Sequence, residues 1–122
     1  MSWAKSLIKL ATYEVETLQK RLAEVRDRRQ AAEMKLAMLE AQGQAEMARP
    51  DADPRDGLYR TQFMAALRDR KDEARAASAA IEIEEQKKYE QVAEQARVLE
   101  VKDQARRETA ALDELGLRRV GR

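Results

Sequence analysis

The stretch IKLATYEVETLQKRLAEVRDRRQAAEMKLAML, residues 8–39, decides the fold. Steps of alternately three and four residues pick out Ile8, Ala11, Val15, Leu18, Leu22, Val25, Arg29, Ala32, Leu36 and Leu39, and only Arg29 is not apolar. A stripe with that period of 3.5 residues runs along one side of an α-helix and is the seam of a coiled coil. Between the seam positions stand charges at helical spacing, Glu16 with Lys20 and Glu24 with Arg28, each pair contributing about 0.3 kcal/mol. A lone helix would leave its stripe in water, so the stripe requires a partner. At Arg29 two arrangements are open: the stem packs while the guanidinium reaches solvent, or a buried polar contact fixes the register.

The chain beyond Leu39 supplies the partner. It contains the only two prolines, Pro50 and Pro54, and with Gly43 and Gly57 they bracket the segment that opposes helix. The reading is one all-α domain over residues 1–122, an antiparallel two-helix coiled-coil hairpin whose second helix is the longer. Its parts are a helix over 3–47, a turn over 48–57, a helix over 58–115 and a frayed tail over 116–122. Asp53 is a candidate cap for the second helix, with Pro54 at its first position and Asp56 in its first turn; a start at Asp56 is the alternative. Gly116 after Leu115 is the expected stop.

The second helix is less regular. Phe63, Leu67, Ala74, Ala77 and Ile81 share one register with Arg70 intervening. Tyr89, Val92, Ala96 and Leu99 join it only if the heptads are interrupted near Glu85, a stutter that would locally unwind the supercoil. Small seam residues, Ala32, Ala74 and Ala77, predict a thinly packed middle. A fold-back centred on the turn puts Leu22 level with Glu84 and Trp3 with Asp103. Residues 104–115, with Ala105, Leu112 and Leu115, would then overhang the first helix, and Trp3 would cap the end of the pair.

Composition narrows the function. The 122 residues are 39% charged and 4% aromatic, a balance suited to helical pairs rather than a thick core. There is no cysteine and no histidine, which removes disulfides, thiolate and imidazole metal ligands and the usual proton-transfer group near neutral pH. Adjacent carboxylates such as Glu84 with Glu85, or Asp113 with Glu114, point about 100° apart on a helix and do not converge on one substrate. The glycines are too scattered for a phosphate loop. A non-enzymatic protein with no cofactor and no metal is expected. With 24 basic and 23 acidic residues interspersed, nucleic-acid binding is not expected. Neither a signal peptide nor a membrane span is apparent, and the expected location is cytoplasmic.

From Trp3-Ala-Lys-Ser-Leu-Ile-Lys-Leu-Ala-Thr-Tyr13 through Tyr59-Arg-Thr-Gln-Phe63 and Leu67 to Leu112-Asp-Glu-Leu115, nearly the whole chain resembles the flagellar export protein FliJ family. The resemblance implies an antiparallel coiled coil similar to the central stalk of rotary ATPases. It also implies insertion into the type III export ATPase ring, contact with the cytoplasmic domain of the export gate, and escort of export chaperones. Membrane association would be peripheral, at the cytoplasmic face of the inner membrane and through those partners alone. The family's gate-contacting positions fall here on Phe63, Leu67, Arg70 and Ala74, of which Arg70 and Ala74 depart from the small apolar and polar residues of the pattern, while for Phe63 and Leu67 the alternative is ordinary hairpin core just above the turn. Leu112 and Leu115, with the basic tail 117–122, are the candidates for the ATPase ring. The alternative is a generic structural coiled coil that self-associates or scaffolds another complex.

Overall fold

The structure, a computed structural model, describes residues 3–50 and 53–120, and side chains as far as Gly116. It holds two helices, α1 (Trp3–Ala48) and α2 (Pro54–Val120), and no strand among the described residues. The chain is an all-α helical hairpin. Its helices pack as two compact units, one of Met1–Ala23 with Lys87–Arg122 and one of Glu24–Gln86.

The turn lies in the second unit and is shorter than 48–57. α1 ends at Ala48 because Arg49 precedes Pro50, and the proline ring disfavours helical backbone in the residue before it. α2 starts at Pro54, its fixed φ already suited to a first helical position. Asp53 is the cap: its Oδ1 accepts a hydrogen bond from the Arg55 amide at 2.9 Å, while its own amide donates to Asp56 Oδ2 at 3.0 Å. That reciprocal pair is a capping box, worth about 1 kcal/mol, and it settles the start at Asp53 rather than Asp56. Gly57 is helical, with nothing near the place a Cβ would occupy. The expected stop at Gly116 is not made, and α2 continues through Val120. Residues 121–122 of the expected tail lie outside the described residues.

Within the Glu24–Gln86 unit, Leu39, Leu67 and Ala74 form a buried cluster against which Leu36, Phe63 and Met64 pack. Gly43 is part of this interior. A Cβ at Gly43 would stand 3.0 Å from Leu67 Cδ2, so the missing side chain is what admits Leu67 against α1. At the turn Tyr59 stacks on Phe63 with centroids 6.3 Å apart, and the Arg49 guanidinium lies 5.6 Å from the Tyr59 centroid. Arg60 donates to the carbonyl of Arg49, covering one of the acceptors that the end of α1 leaves open.

Charged pairs cross between the helices at successive levels of this unit. Arg28 Nη2 meets Glu84 Oε1 at 2.6 Å, Arg29 Nε meets Glu85 Oε2 at 3.2 Å, and Arg75 Nη2 meets Glu40 Oε1 at 4.0 Å. These contacts correct the expected register by about one helical turn. Glu84 pairs with Arg28 rather than lying level with Leu22, and Gly43 meets Leu67. Around Ala32, Ala74 and Ala77 the small side chains leave a void of about 330 Å³, in keeping with the thin middle expected from the sequence.

No stutter interrupts α2. A line of buried and half-buried positions runs through Leu67, Lys71, Ala74, Ser78, Ile81, Glu85, Lys88, Val92, Gln95 and Leu99 in an unbroken alternation of three and four, with Glu84 and Val98 half-buried beside it. The seam passes through polar residues whose stems pack while their heads reach the edge. Ala77, Tyr89 and Ala96, expected on the seam, are exposed.

In the other unit Ala11, Val15 and Leu22 are buried. Asp103 is bracketed one turn on by Arg106 at 3.2 Å and Arg107 at 2.9 Å. Arg97 Nη2 donates to Glu94 Oε1 at 2.8 Å, and this hydrogen bond, with the charge behind it, holds the Glu94 carboxyl below its usual range. Trp3 shares the lining of one groove with Ala105 and Ala110, but from Gln104 to Leu115 every residue except Arg106 is exposed. Trp3 does not cap the pair: its side chain is 78% exposed.

Candidate interaction surfaces

The four positions implied for the gate, Phe63, Leu67, Arg70 and Ala74, divide between the inside and the edge of the helix pair. Steps of four, three and four alternate between a seam position and the position beside it. Leu67 is 2% and Ala74 6% exposed, and both are committed to α1 within the chain. Phe63 is half-buried, one side on the Leu39 and Leu67 cluster and the other on Tyr59. Arg70 is exposed, so it is the member of the set whose whole side chain is presented to solvent. About three turns nearer the start of α2 the surface adds Leu58, 65% exposed, and Tyr59, which sequence reasoning passed over because both fell at the edge of the expected turn.

The ring candidates are both on the surface, Leu112 at 68% and Leu115 at 52% exposure. Neither lines the apolar groove of about 600 Å³ that Trp3, Leu7 and Ile8 of α1 form with Ala105, Thr109 and Ala110 of α2. Lys5, Lys102, Arg106 and Asp113 complete its lining. Leu112, Leu115 and Trp3 belong to one unit, and Phe63, Leu67, Arg70 and Ala74 to the other. The side chains of 117–120 and the whole of 121–122, the expected basic contact, lie outside the described residues.

Among the described residues no three His, Cys, Asp or Glu side chains are grouped so as to hold a metal ion. No helix among them is long and apolar enough to cross a membrane.

The sequence as a whole has close relatives. Flagellar FliJ proteins from two strains of Caulobacter vibrioides, NA1000/CB15N and ATCC 19089/CIP 103742/CB 15, are each 42% identical to it over 131 aligned residues, covering 97% of this chain and 94% of the relative. The chain belongs to the flagellar FliJ family. The match to the FliJ proteins extends over nearly all of both chains, in line with the resemblance running from Trp3 to Leu115. No family model matches the sequence, and no solved structure matches it.

Proposed function

We propose that this FliJ-family protein is a non-enzymatic, cytoplasmic component of the flagellar type III export apparatus that couples the export ATPase ring to the export gate. The observation that carries the reading is the near-full-length relationship to flagellar FliJ proteins, joined to a hairpin with exposed apolar residues on both of its units. The exposed Leu112 and Leu115 are the ring contacts in this reading, and Arg70 with the outer side of Phe63 is the gate contact. Leu67 and Ala74 serve the gate surface from beneath by holding Phe63 and Arg70 in place, since their own side chains are buried. Escort of export chaperones is a further role for the same surfaces.

Reconstitution with the export ATPase tests this. Saturating protein should promote ring assembly and raise ATPase activity, and Leu112→Glu with Leu115→Glu should abolish both effects while helicity is retained. ATPase assembly and activity unchanged by the unmodified protein would defeat the coupler reading and leave a scaffolding coiled coil.

A further inference from the structure

The outward face of α1 changes character halfway along. Facing away from α2, residues 9–27 carry Lys9, Glu16, Lys20, Glu24 and Asp27, the charges expected of a solvated face. From Gln30 to Ala48 the same face holds no charge at all. Its central line is Ala31, Met34, Met38, Ala41, Ala45 and Ala48, again at alternating steps of three and four, with Gln30, Ala37 and Gln44 along one flank. All nine residues are exposed, Met34 at 67% and Met38 at 55%. The chain therefore carries a second coiled-coil stripe on α1, back to back with the first.

We propose that this face is a self-association surface, occupied by α1 of a second copy running antiparallel. The pattern is self-complementary under a two-fold axis. Laid against itself in opposite directions, the line pairs Met38 with Ala41, Met34 with Ala45 and Ala31 with Ala48, so each long side chain meets a small one. No charge on the nine positions has to be desolvated. Size sets the strength. Six mostly small residues bury on the order of 400 Å² per copy, about half of what a standard stable interface uses, which places the pair among weak, reversible associations. A weak pair of this kind forms only where copies are concentrated, with a dissociation constant on the order of 0.1–1 mM as the value to be tested.

Sedimentation of the intact chain over concentrations from about 10 µM to about 1 mM reads this directly. The expected result is a monomer that shifts reversibly toward dimer mass, with Met38→Glu and Ala41→Glu each weakening dimerisation at least tenfold. Both sites are exposed, so unchanged helicity by circular dichroism shows that the variants still fold. Leu112→Glu, on the other unit, should leave the dimer intact. Three results would overturn the proposal: monomer mass throughout, a dimer that survives both α1 variants, or a dimer lost in Leu112→Glu.

Discussion

Arg29, the one charged residue on the α1 seam, lies opposite Glu85, a charged residue on the seam of α2, with Arg29 Nε 3.2 Å from Glu85 Oε2. Arg26 approaches the other oxygen of Glu85 at 3.5 Å, and Glu33 stands 3.8 Å from Arg29. Glu85's side chain is 16% exposed and Arg29's 38%, so the pair is partly desolvated and its attraction is less screened than at the surface. Sliding the helices by one heptad would place Arg29 beside Ser78 or Val92 and leave a half-buried charge unpaired. Arg29 thus combines the two arrangements open to it: its stem packs and its head pairs.

Charge reversal at either position should therefore cost more than a surface ion pair. Arg29→Glu or Glu85→Arg is expected to lower stability by about 1–2 kcal/mol, with the double exchange recovering most of it. Urea unfolding of the four proteins completes the cycle, and a coupling near zero would show that the two side chains do not meet.

Gly43 should tolerate a methyl group without net gain and nothing larger. Alanine there gains about 1 kcal/mol of helix propensity but presses on Leu67, while Gly43→Val adds bulk that the cluster must yield to, at about 1–3 kcal/mol. Thermal unfolding should rank the unmodified chain and Gly43→Ala close together and Gly43→Val well below both.

Removing the cap of α2 should cost about 1 kcal/mol, because Asp53→Ala orphans the Arg55 amide whereas Asp53→Asn keeps an acceptor for it. Denaturant midpoints of the two variants measure the difference, and equal midpoints would mean that the cap contributes nothing.

Arg70 and Leu67 separate surface from support. Arg70→Glu should change stability by less than about 0.5 kcal/mol yet weaken binding to the gate's cytoplasmic domain, whereas Leu67→Ala should lose about 2–5 kcal/mol by opening a cavity among Leu39, Phe63 and Met64. Parallel unfolding and binding titrations would reveal a shared loss in both variants if the assignment were wrong.

The α1 seam was legible because every position but one is apolar, and burial tracks it from Ile8 to Leu39. The α2 seam was not, since Lys71, Ser78, Glu85, Lys88 and Gln95 occupy it and an apolar template steps sideways to Tyr89 and Ala96. That sideways step produced the stutter. The cap was readable from Asp53, Pro54 and Asp56, but the path of the connector was not, so the register came out about one turn short. Of the candidate contacts, the exposure of Leu112 and Leu115 agrees with a docking role, while the family-implied quartet mixes interior and edge because its spacing alternates between the two. The neutral outer face of α1 is masked in the sequence by the stronger stripe on the same helix.

From the contact of Gly43 with Leu67, about three turns back along α1 and forward along α2 bring Ala32 level with Ser78. Cysteines at these two positions, introduced as Ala32→Cys and Ser78→Cys, should close a disulfide within a single chain at micromolar protein and keep monomer mass on a non-reducing gel. Linkage between chains only, with none within a chain, would contradict the antiparallel fold-back on which the groove, the gate edge and the free outer face of α1 all depend.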